Sequence, residues 1–165
     1  MPGLKDVIIE QLRSGQLFIE KLTEDLSDAE YFVPPIEGAN HVGWILGHIA
    51  CSEDWALSLV TGSKLRIPQS AHDMFRGRSK CVPDAPKYPS RKEMDELFGS
   101  NRADTVEVLK AFDDNKWGDP LPEDVPQDFF PTLGSLWGTL GTHQFWHIGQ
   151  ITVCRAAMKK KPVLI

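Results

Sequence analysis

His143 and His147 stand four residues apart in the stretch GTHQFWHIGQI, Gly141 to Ile151, and the chain has 5 histidines in all. Side chains at i and i+4 lie on one helical face, with Cβ atoms about 6 Å apart. Two imidazoles so placed can turn nitrogens onto one metal ion, which zinc requires at about 2.0–2.1 Å. Spacings of one or two residues would point the rings apart. A histidine pair also occurs on helices that bind nothing, so the reading needs a third ligand from another helix. His48, inside VGWILGHIACSEDW on the apolar side of its own segment, is the best candidate. A core imidazole has a polar nitrogen to satisfy. A shared ion satisfies it, and so does a backbone or water partner.

The other candidates weigh less. His41 shares a face with His48 but lies two turns away, about 10 Å along the axis. It cannot join the same ion and reads as a surface or capping residue. His72 falls in a long connection and gets no role. Cys51 could approach the ion, since thiolate is a good zinc ligand, but its ordinary reading is a small buried hydrophobe. Cys154 is two turns from His147, too far to coordinate. Glu53 and Asp54 stand off the direct line of His48. They could serve as a base beside the site, or more simply as solvated surface charge. Gln150 could hydrogen-bond the His147 ring from behind, or be a plain polar position. Gly141 and Gly149 each cost a helix about 1 kcal/mol against Ala, which close approach of a neighbour would offset.

Four segments carry the apolar spacing of helices and must position these residues. The first covers about residues 3–26, with Leu4, Ile8, Leu12, Ile19 and Leu22 on one stripe. Pro34-Pro35 closes the connection after it. The second runs from about Asn40, a plausible N-cap, to Gly62, a helix stop. Residues 63–89 look irregular. Ser90 and Glu93 have capping-box spacing and open the third helix. The proline-rich stretch 113–131 reads as extended, and the fourth helix spans about 132–160. No strand alternation appears. The expectation is an all-α chain, a four-helix bundle with long crossover connections, forming a single domain over 1–165.

Net charge is −5, which gives no electrostatic footprint for nucleic acid. No apolar stretch approaches a membrane span, and the N-terminus lacks a signal-peptide pattern. Three widely spaced cysteines argue against a disulfide framework and for a cytoplasmic setting. Lys159–Lys161 reads as the solvated end of a helix. Trp137 and Trp146 could form a homodimer interface or belong to the core.

The segments NHVGWILGHIACSEDW and HQFWHIGQI together resemble the DinB superfamily, also called DinB/YfiT-like. Gly47-His48, Glu53, His143, His147, Gly149 and Gln150 match its pattern. The resemblance spans nearly the whole chain. It implies a four-helix bundle whose neighbours are not sequential, with a divalent metal, often nickel or zinc, held by His48, His143 and His147. Relatives include thiol-dependent S-transferases and a mycothiol-dependent maleylpyruvate isomerase, and many others have no known activity. DNA binding is not implied. Three neutral ligands leave open positions, the mark of a catalytic site. The metal could bind a low-molecular-weight thiol and present a thiolate to a small-molecule electrophile, or hold a water for hydrolysis. The family favours the thiol. A non-catalytic, stress-related binding protein with a structural metal is the rival class.

Overall fold

The computed structural model describes residues 3–83 and 85–163. Its helices are α1 (Leu4–Thr23), α2 (Val42–Thr61), the short α3 (Gln69–Phe75), α4 (Arg91–Ala111) and α5 (Leu133–Ala157), with three 3-10 turns between them. No strand forms among the described residues. The chain is a four-helix bundle of α1, α2, α4 and α5, with α3 attached to the outside of α2.

Neighbours in the bundle are not neighbours in sequence. α2 packs on α4 and α5, and α1 packs on the same two helices. α1 and α2 therefore lie on one diagonal, α4 and α5 on the other. The chain must cross the bundle after α1 and again after α4, which is why both connections are long.

Local chemistry sets the ends. Ser90 and Glu93 form the expected capping box: Ser90 N donates to the Glu93 carboxylate at 2.7 Å, and Glu93 N donates back to Ser90 Oγ. Gly62 ends α2 with φ +68, a left-handed conformation that glycine adopts without strain. The N-cap of α2 is His41 rather than Asn40. Its Nδ1 accepts from Trp44 N at 3.0 Å, so an imidazole nitrogen replaces the usual side-chain oxygen. His41 is also fully buried rather than at the surface, with its ring edge-on to Phe32 and Tyr88.

The connection 63–89 is not irregular throughout. It contains α3, anchored by Phe75, which is fully buried. A helix of seven residues cannot show periodicity, so spacing does not reveal it.

The apolar core has two parts. One joins Ile19 and Leu22 to Trp44, Ile45, Phe75, Met94 and Ile151. The other joins Ile8 and Leu12 to Leu57, Leu109, Leu136 and Trp137. Trp137 is thus core, while Trp146 is 71% exposed. Between the two lies a polar layer with a contribution from every bundle helix. Arg102 of α4 pairs with Glu53 of α2, donates to Gln144 Oε1 of α5 at 2.6 Å, and reaches the Leu12 carbonyl of α1. Thr105 adds a hydroxyl to Glu53 at 3.0 Å. Glu53 is 2% exposed and Asp54 is 1% exposed, so neither is solvated surface charge. A buried carboxylate persists only if paired and hydrogen-bonded.

Candidate metal centre

His48 on α2 meets His143 and His147 on α5 at the level of the polar layer. Ring centroids stand 5.1 Å apart for His48–His143, 4.9 Å for His48–His147 and 4.5 Å for His143–His147. One nitrogen of each ring lies within 4.8 Å of those of the other two. The rings are close to mutually perpendicular, at 72°, 73° and 89°. They therefore converge edge-first rather than stack.

The hydrogen bonds behind the rings choose their tautomers. His48 Nδ1 lies 2.7 Å from the Phe75 carbonyl, which can only accept, so His48 carries its proton on Nδ1. His147 Nδ1 lies 3.0 Å from Gln150 Oε1 and donates likewise. Gln150 is thus the outer partner that its spacing suggests. Each arrangement leaves Nε2 with a bare lone pair, as metal ligation requires. Trp44 stacks on His48 at 4.9 Å and 15°, restricting its rotation. The Trp44 indole N–H is itself tied to Ser79 Oγ at 3.1 Å.

His143 Nε2 and His147 Nε2 are 3.0 Å apart. Two imidazole nitrogens at adjacent corners of a tetrahedral ion stand roughly 3.3 Å apart, given bond lengths of about 2.0–2.1 Å. Two lone pairs facing each other at this range repel unless a proton or cation lies between them. Burial pushes all three imidazoles below the ordinary range, His143 to about 3 and His147 to about 4, and repulsion from neighbouring imidazoles adds to it for those two. Neutral rings at pH 7 are the form a cation binds. The donor set therefore fits a divalent metal.

Phe75 connects the site to the fold. A Cβ on Gly47 would sit 2.6 Å from two Phe75 ring carbons, so only glycine lets this ring lie against α2. That seat brings the Phe75 carbonyl to His48. On α5 a Cβ at Gly141 would meet only the end of the flexible Gln11 side chain, Oε1 at 2.4 Å, and Gly149 faces open space.

A cavity of about 250 Å³ opens beside His48. Its walls include Cys51 and Trp55 from α2, with Gln69, His72 and Arg76 from the α3 segment. Cys51 is buried, and desolvation pushes its thiol up to about 12, so it behaves as a small apolar residue. His72, given no role by sequence, lines this cavity and pairs with Asp54, Nε2 to Oδ2 at 2.9 Å. The two lie 18 residues apart on different elements, and no local spacing relates them. His41 belongs to a separate cluster, as its distance along α2 requires.

The sequence model described as the DinB superfamily matches residues 11–151. Among solved structures, a conserved protein from Enterococcus faecalis superposes with a TM-score of 0.77 at 16% identity, covering 97% of this chain and 100% of that one. YfiT from Bacillus subtilis, described as a probable metal-dependent hydrolase with an unusual four-helix bundle topology, gives 0.68 at 18% identity. That match covers 95% of this chain and 89% of YfiT. At such identities the likeness is one of fold. No curated protein matches the chain.

Proposed function

The chain belongs to the DinB superfamily, and from that premise we propose that it is a metal-dependent hydrolase of a small substrate. His48, His143 and His147 hold a divalent ion, nickel or zinc by the all-imidazole donor set. The observation that carries this reading is the convergence of one nitrogen from each of three rings, with the Nδ1 of two of them already committed. Among the described residues no fourth imidazole, thiol or carboxylate joins them. A three-ligand set leaves a position for a reactant, whereas structural sites close with four. When bound, the ion supplies Lewis acidity and makes a nucleophile available near neutral pH.

The chain's own residues do the rest. Phe75 and Gln150 hold the His48 and His147 rings, Trp44 limits rotation, and the α2–α3 cavity receives the substrate beside His48. The cavity of about 250 Å³ beside His48 has room for water and one small electrophile, as hydrolysis needs. The description of YfiT as a metal-dependent hydrolase agrees with this choice for a protein of the same fold.

The test is elemental analysis of protein purified without a metal-affinity tag, followed by a screen of small esters, amides and lactones. One ion per chain, lost in His147→Ala and kept in His41→Asn, is expected. Cobalt-substituted protein titrated with small thiols decides the alternative. A thiolate band with turnover of thiol acceptors, and no hydrolysis, would replace hydrolysis by S-transfer.

A further inference from the structure

We propose that His72 and Asp54 form a proton-transfer dyad serving the cavity beside His48, an inference that rests on the hydrolytic reading. Asp54 is 1% exposed and fixed from several sides. It accepts from Arg66 N at 3.1 Å and Ile67 N at 3.1 Å, and the Arg66 guanidinium lies 3.9 Å away. Its Oδ2 then faces His72 Nε2 at 2.9 Å. An acceptor so held sets both the tautomer and the orientation of the imidazole. The proton sits on Nε2, and Nδ1 carries the lone pair.

The second nitrogen is what makes this a site. His72 lines the same cavity as His48. Its Nδ1 has no hydrogen-bond partner among the described residues, yet is not among the buried polar atoms cut off from solvent. An imidazole oriented by a buried carboxylate, with its second nitrogen open to solvent and its ring in a cavity wall, is the arrangement of a general base. A purely structural role for His72 would need only the Asp54 contact, and would not place the ring in the cavity wall.

The step balances without any further reactant. Water in the cavity attacks the electrophilic carbon, forming a C–O bond while Nδ1 takes its proton. Asp54 stabilises the resulting imidazolium through Nε2–H. The bond to the leaving group then breaks, and the Nδ1 proton passes to the departing atom. The products are an acid and the protonated leaving group.

The experiment uses the full chain loaded with one metal ion. His72→Gln should keep stoichiometric metal and the thermal midpoint, yet lose hydrolysis by roughly 10²–10⁴-fold. His72→Ala should recover part of the rate with added imidazole, which a structural residue would not allow. Nitrogen-15 spectra of the histidine rings give a readout free of activity: His72 should be protonated on Nε2, with a bare Nδ1. Asp54→Asn should disturb that tautomer, and His72→Gln keeps the test open if that variant fails to fold. Wild-type rates in His72→Gln, or a proton on Nδ1, would overturn the dyad. If metal-loaded wild type hydrolyses nothing, the hydrolytic reading fails by itself, and the dyad stands or falls on the tautomer.

Discussion

The Phe75 ring lies where a side chain on Gly47 would have to go, 2.6 Å from an ideal Cβ, and the Phe75 carbonyl holds His48 Nδ1 at 2.7 Å. One glycine thus connects the packing of α3 to the orientation of a candidate ligand. Gly47→Ala forces a fully buried ring to move. Overpacking of this kind costs about 1–3 kcal/mol. Losing the outer partner of a ligand typically costs about 10–100-fold in metal affinity. Gly43 provides the control, since its Cβ would meet Phe32 at 2.6 Å. Gly43→Ala should lower the melting midpoint comparably while leaving metal affinity, measured by chelator competition, unchanged.

Gln150 makes the corresponding test on α5. Gln150→Leu removes the acceptor for His147 Nδ1–H and lets the ring choose the other tautomer. Metal affinity should fall by about 10–100-fold, with stability little changed because the residue is exposed. Gly149→Ala, next to it, faces open space and should stabilise the helix by up to about 1 kcal/mol without touching the metal. Equal affinity in wild type and Gln150→Leu would show that Gln150 does not orient His147.

How far the sequence is legible follows from what each feature depends on. The three histidines can be read because helical spacing converts positions directly into faces, and because apolar neighbours mark His48 as inward. The bundle can be read for the same reason, but length alone misplaces one crossover: of the two long connections 63–89 and 113–131, only the second crosses the bundle, while the first joins α2 to its side-by-side neighbour α4 and the other crossing follows α1. The His72–Asp54 contact cannot, because it is made by folding the Ser63–Pro68 loop back over α2. Glu53 reads as a surface charge until the fold buries it together with Arg102. Their one trace is Gly15 on the apolar stripe of α1, where a Cβ would meet Gln144 Oε1 at 2.0 Å. A glycine in a core stripe signals a close neighbour without saying which.

The polar layer itself predicts a double-mutant cycle. Arg102→Met leaves the Glu53 carboxylate buried with Thr105 as its remaining side-chain donor. Removing one partner of a buried pair costs about 3–5 kcal/mol. Glu53→Leu should cost similarly by stranding the guanidinium. Arg102→Met with Glu53→Leu should be milder than the two singles added together, since neither variant charge remains unpaired. Denaturant unfolding of the four proteins measures the coupling. Strict additivity would show that the pair contributes nothing specific.

Part of the acid sensitivity should trace to His41. Burial holds its imidazole down to about 4, against about 6.5 in an unfolded chain. Above pH 6.5 both states are neutral and no stability depends on the group. As pH falls below 6.5 the unfolded chain takes up a proton that the folded one refuses until about pH 4. Stability is therefore lost across that window, by up to about 3 kcal/mol for this residue. His143 and His147, also held low, add to the loss in metal-free protein, so the comparison is made there. His41→Asn keeps a side-chain acceptor at the N-cap of α2 while removing the titration. It should be less stable than wild type at pH 7, since it leaves space between Phe32 and Tyr88. Its stability should nonetheless fall less steeply between pH 6.5 and pH 4, by up to about 1.4 kcal/mol per pH unit. Urea unfolding at a series of pH values reads both numbers. Parallel curves for the two proteins would mean that His41 is protonated as readily in the folded state as in the unfolded one.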